Sequence, residues 1–430
     1  MKSILSSLSV SLLLAAVMLT GCEQDRCLRT EEYLTYEPVY KRIEEMRVPI
    51  QVETPRALTA PGKIFYYKGY LFINDVNLGI HVIDNRQPES PQKVAFLNIP
   101  GNLDMAIHDD VLYVDSYLDL VALDLNNPVA PVEVDRVNDV FQSFYSWTDQ
   151  FGYLVEYKPT NVKRTIDCSD NNWGRIWFWE GDVLFSSDAS FGGVRRESSF
   201  SNGSSVNTSI VVGGSMARFT VADHHLYTID GAEIKVFNVD QVHPDLKSEV
   251  TVQWGIETLF PMAGNLFVGS NNGLLIYDIS NPANPEFRST FSHASSCDPV
   301  FVSGDIAYVT LRSGNACLGF TNQLDVIDVS DLFNPELIRS YPMDNPHGLS
   351  VVDHTLYLCE GEFGLKTFDV ENENTINEHL LDQVQGFAAY DVIVLPPGDH
   401  VMVIGQNGLY QFDATDRSDL KQVSVIEVGK

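Results

Sequence analysis

The chain has 430 residues, with 58 Asp and Glu against 28 Lys and Arg, giving a net charge of −30. So acidic a surface repels the phosphate backbone from which nucleic-acid binders draw most of their affinity, which excludes a nucleic-acid partner. With 44% hydrophobic and 11% aromatic residues, the chain has material for a large core and is not a disordered polymer.

The N-terminus comes first. Lys2 precedes an apolar stretch, Ile4 to Met18, broken only by serines and ending in Leu19-Thr20-Gly21-Cys22. That length suits a secretory signal better than a spanning helix, which needs about 20 clean apolar residues. The Leu-Thr-Gly-Cys end resembles the lipobox of bacterial lipoproteins. The resemblance implies that residues 1–21 are a signal peptide and that lipid on Cys22 tethers the chain to a membrane. Glu23 stands where an aspartate would resemble an inner-membrane retention signal. The expected location is therefore the outer membrane, facing the periplasm or the cell surface. Residues 22–61 read as a tether and linker.

From residue 62 to 430 one unit recurs. An apolar strand ending in Asp, followed by a proline-containing turn, appears as Val82-Ile83-Asp84, Ala122-Leu123-Asp124, Ile276-Tyr277-Asp278 and Val326-Ile327-Asp328. Weaker copies are Val236-Phe237-Asn238, Thr367-Phe368-Asp369 and Gln411-Phe412-Asp413. Upstream of each lies an aromatic-rich strand such as Tyr70-Leu71-Phe72-Ile73. A period of roughly 40 residues holding four short β-patterned segments is that of a propeller blade. The long gap between Asp124 and Asn238 accommodates a divergent third blade over 140–167 and a Ser/Gly-rich loop near 168–215. The expected fold is an all-β propeller of about eight four-stranded blades. The alternative is seven, with 140–215 an insertion.

These repeats resemble the LVIVD-repeat proteins, named for an apolar strand ending in Asp before a proline turn, over about 62–426. The resemblance implies a propeller and an exported location and brings no catalytic residues. The repeated aspartates precede turns, where a carboxylate accepts backbone N–H bonds, so they serve the scaffold.

A site shows where blades differ. Counting back eight residues from the leucine of each second strand gives Lys63, Asp104, Arg218 and Thr258; Glu257, Asp298 and His347 lie one position away, and Asp391 begins the last inner strand. Equal offsets in repeated units become equal positions in a ring, so these residues should surround one mouth of the central channel. The ligand-binding set expected there is Lys63, Asp104, Arg218, Glu257, Asp298, Arg312, His347 and Asp391; a solvated lining without a ligand is the plainer alternative. Cys297 and Cys317 fall near the same rim and are expected to pair, with Cys359 a rival partner. No nucleophile elbow, zinc motif, phosphate loop or calcium loop occurs, so no metal, cofactor or catalytic residue is expected. His224, His225 and His243 read as solvated loop residues. The primary functional reading is a non-catalytic binding or scaffold module for a protein or glycan. The alternative is a hydrolase or lyase working through Asp104, Asp298, His347 and Asp391.

Overall fold

A computed structural model describes residues 28–167, 211–212, 217–270, 273–292, 299–312, 321–395 and 397–429. The signal segment, Cys22, Cys297, Asp298, Cys317 and nearly all of the Ser/Gly-rich stretch lie outside the described residues.

Each repeat folds into consecutive antiparallel strands. The first blade is Pro61–Tyr67, Tyr70–Asp75, Gly79–Asp84 and Gln92–Asn98, hydrogen-bonded in that order. Later blades begin at Met105–His108, Phe219–Ala222, Ile256–Met262, Val300–Ser303, Leu349–Val352 and Ala389–Leu395. Side chains of the second and third strands are almost all buried because neighbouring blades cover both faces, so these strands read as continuous apolar runs. The fourth strand is more exposed. Every pairing of third with fourth strand carries a bulge close to the repeated acidic position, which sharpens the twist there.

The repeated carboxylates take the scaffold role expected of them. Asp84 Oδ1 accepts the N–H of Arg86 at 3.1 Å, Asp124 that of Asn126 at 2.7 Å and Asp278 that of Ser280 at 2.7 Å. Asp328, Asp369 and Asp413 do the same toward Ser330, Glu371 and Thr415, and Asn238 toward Asp240. The rule is the same in all: acceptor at i, donor at i+2.

Among the described residues there are eight antiparallel sheets. Seven are blades whose inner strands touch in series. The eighth, over the segment assigned to a divergent third blade, is three-stranded, in the order Leu28–Lys41, Gly152–Asp167, Ser146–Thr148. It recruits an N-terminal strand instead of building a local four-stranded unit. The inner strand of blade two meets that of blade three directly, since Asp104 accepts the Arg218 and Phe219 N–H groups. Among the described residues, seven inner strands follow one another in the ring, and the eighth sheet covers the segment assigned to the divergent third blade. Residues 28–39 and 156–167 form a separate unit, in which Thr35 Oγ1 donates to the Thr160 carbonyl at 3.1 Å and Lys163 meets Glu32 at 2.5 Å.

Residues 40–61, read as part of the linker, are packed instead. Met46 is buried, Arg47 pairs with Asp119 at 2.9 Å, and Gln51–Glu53 adds a strand outside the first blade. No helix among the described residues is long and apolar enough to cross a membrane.

Candidate functional site

The register argument places its residues at the inner-strand starts. Asp104 precedes the strand Met105–His108, Arg218 precedes Phe219–Ala222, His347 lies two residues before Leu349–Val352, and Lys63, Glu257, Thr258 and Asp391 are within the first residues of theirs. All therefore lie toward one end of the ring.

Three of this expected ligand-binding set are closed off from solvent, which also departs from the alternative of a solvated lining. Lys63, Asp104 and Asp391 are each 1% exposed. Lys63 Nζ stands 2.9 Å from Asp104 Oδ1 and donates to the Phe219 carbonyl at 3.0 Å, so one side chain from blade one ties blades two and three. Asp104 Oδ1 also accepts the Met105 N–H at 2.6 Å, while Oδ2 accepts those of Arg218 and Phe219 at 2.8 and 3.1 Å. Burial pulls the Lys63 ammonium below the ordinary lysine range, and the charges of Asp104, Asp391 and Asp115 oppose it. Both Asp104 oxygens are thus engaged in holding strands together, which leaves the carboxylate poorly placed as a general base.

Asp115, absent from the expected set, belongs to this cluster. Its Oδ1 accepts from Asn102 Nδ2 at 2.8 Å, Leu103 N at 2.8 Å and Asp104 N at 3.0 Å. Burial pushes its carboxyl up to about 6. The sequence signal was an acid late in an otherwise apolar second strand, a pattern shared with Asp75 and Asp230.

Across the ring, His347 is half-buried, with its ring 5.2 Å from that of Tyr390. Burial, with the charge of Arg312 adding, brings its imidazole down to about 3, so it is neutral at physiological pH. The next residue must be glycine: a Cβ on Gly348 would fall 1.9 Å from Asp391 Oδ1. The structure therefore brings together Lys63, Asp104 and Arg218 in one group, and His347, Arg312 and Asp391 around blades five to seven. Glu257 is half-buried and Thr258 buried at the start of blade four. Cys359, the rival disulfide partner, is a buried free thiol that burial pushes up.

Aromatic side chains missed at the sequence level share this end. Trp254, in the link before blade four, is 73% exposed, and Phe363, in a second-to-third-strand turn, is 45% exposed. The Arg218 guanidinium lies 4.2 Å from the ring centre of Phe144.

With this geometry, the chain is a β-propeller that carries LVIVD repeats: the LVIVD repeat family matches residues 264–292 and 295–342. Among solved structures it is similar to a periplasmic gluconolactonase of Pseudomonas aeruginosa, with 11% identity, TM-score 0.53, and 92% of this chain and 97% of that one covered. A candidate 6-phosphogluconolactonase of Bacteroides fragilis matches with 10% identity and TM-score 0.53, covering 87% and 98%. A Lactobacillus plantarum protein matches with 11% identity and TM-score 0.54, covering 86% and 96%. At these identities the likeness is one of fold alone. No curated protein matches the chain in sequence.

Proposed function

We propose that this chain is an exported propeller, held at the outer membrane by lipid on Cys22, that binds a protein or glycan without catalysing a reaction. The observation that carries the reading is the exposed aromatic set Phe144, Trp254 and Phe363, on the same end as Arg218, Glu257, Arg312 and His347. Large rigid rings beside charged groups supply contact area at low entropic cost and stack on the faces of sugars or apolar side chains. Against catalysis stands Asp104, whose oxygens are filled by Lys63 and three backbone N–H groups.

The test uses the full chain in pull-downs from native membranes and on glycan arrays. Replacing Trp254→Ala together with Phe363→Ala is expected to reduce capture about tenfold or more, the loss of typical interface anchors. Unchanged capture would overturn the binding surface. Hydrolysis of a sugar lactone by the wild-type chain, lost in His347→Ala, would overturn the non-catalytic reading. Separately, Cys22→Ala should release the protein from membranes on detergent-free washing; retention through the remaining sequence would overturn the anchor.

A further inference from the structure

At the opposite end of the ring, the turn after the inner strand of blade two meets the corresponding turn of blade three. The turn of blade two presents His108 and Asp109, and that of blade three presents His224. His108 Nε2 lies 3.0 Å from His224 Nδ1 and 3.3 Å from Asp109 Oδ2, and His224 Nδ1 lies 3.7 Å from the same carboxylate oxygen. A triangle with those edges has its centre about 2 Å from each corner, the bond length of a divalent cation to imidazole nitrogen and carboxylate oxygen. Asp240 Oδ1, 3.6 Å from His224 Nδ1, offers a second carboxylate as a fourth ligand, while its other oxygen accepts Asn238 Nδ2 at 2.7 Å.

The other blades say what this position calls for. Between blades one and two, Lys68 pairs with Asp110 across the same pair of turns. Between blades seven and six, Arg417 holds Asp353 of the blade-six turn at 2.8 Å. A cation on a turn carboxylate thus ties blades at this end. Between blades two and three, the ion pairs of Asp109 and Asp240 among the described residues are with histidines, and no Lys or Arg supplies the charge.

We propose that His108, Asp109 and His224, with Asp240 beside them, bind a divalent transition cation of the zinc kind that clamps blade two to blade three. Imidazole donors select such a metal over magnesium or calcium, which prefer all-oxygen sites. The location gives the clamp a task. Successive blades elsewhere are joined by short links, as from Thr251 to Ile256, whereas here the chain leaves blade two at Val137 and re-enters the ring at Phe219. Closing a long loop is where a metal clip gains most.

The test is equilibrium dialysis of the full chain against Zn²⁺ in excess Mg²⁺, which saturates non-specific sites on so acidic a surface. One Zn²⁺ per chain is expected, held about 10–100-fold more weakly in His224→Ala and in Asp109→Asn. The second variant keeps both imidazoles and the turn residue's size, so its loss reports the site and not folding. Zn²⁺ should also raise the thermal midpoint of the wild type and leave that of His108→Ala with His224→Ala unmoved. Equal Zn²⁺ uptake by wild type and double variant, or none by either, would overturn the proposal.

Discussion

Lys63 shows how far a single side chain can be read. Its position at the start of an inner strand follows from the repeat register, as do those of Asp104 and Arg218. Its burial does not, because the reach to the Phe219 carbonyl exists only once the ring brings blades one and three within a lysine's length. The same non-local step turned an expected ligand-binding pair into a structural one. Removing one partner of a buried ion pair leaves the other charge uncompensated, which costs about 3–5 kcal/mol. Lys63→Ala should therefore lower the urea unfolding free energy by roughly that amount, whereas a solvated mouth residue would change it by less than about 0.5 kcal/mol. A change of the smaller size would mean that the side chain is hydrated.

At the scale of the element, departures from the repeat mark the seams. The slot filled by Val82, Ala122, Val236, Ile276 and Val326 holds Thr367 in blade six and Gln411 in blade seven. Both are ties to the next blade. Thr367 Oγ1 donates to the Arg417 carbonyl at 3.0 Å, and the Gln411 amide exchanges two hydrogen bonds with Asn85 of blade one, at 3.0 and 2.8 Å. Blade seven takes all four strands from one stretch of chain, so among the described residues it joins blade one through these amides, the apolar contact of Ile64, Leu71 and Ile73 with Ile393, Met402 and Ile404, the hydrogen bonds of Ser424 Oγ to the Pro88 carbonyl at 2.6 Å and of Lys93 Nζ to the Glu427 carbonyl at 3.5 Å, and a bridge between Leu58 and Val428. Asn85 and Gln411 are almost fully buried, so truncating either leaves a buried amide unsatisfied, at about 1–3 kcal/mol. Asn85→Ala and Gln411→Ala should each cost that much, and together less than the sum by at least about 0.5 kcal/mol in a double-mutant cycle. Strict additivity would show that the two amides do not act as a pair and that the seam is held by its other contacts. Such polar exceptions were legible in the sequence. The pairing of Gly152–Asp167 with Leu28–Lys41 was not, because it joins distant segments with no shared pattern, and a strand-rich stretch therefore read as a blade.

For the whole molecule, the balance of charge is the property read most directly from sequence, and its consequence is physical. Several of the 28 bases are engaged in close, largely buried pairs: Lys63 with Asp104, Lys235 with Asp230 at 3.0 Å and Arg47 with Asp119. These short-range attractions respond little to salt, because the ions of the solvent do not reach between the partners. The excess acid must then be distributed where it is hydrated, and its mutual repulsion acts over tens of ångströms and favours expansion. Raising NaCl from about 0.01 M to about 0.15 M shortens the Debye length from about 30 Å to about 8 Å, which suppresses the long-range repulsion while sparing the pairs. The thermal midpoint should accordingly rise, by about 1 °C for each kcal/mol of relief in a propeller of this size. The scan should be run with a chelator present, so that metal at the His108–His224 turns does not contribute. A midpoint that falls with salt would mean that exposed ion pairs, not net repulsion, dominate the electrostatics of this propeller, and that its acidity is arranged in compensated clusters.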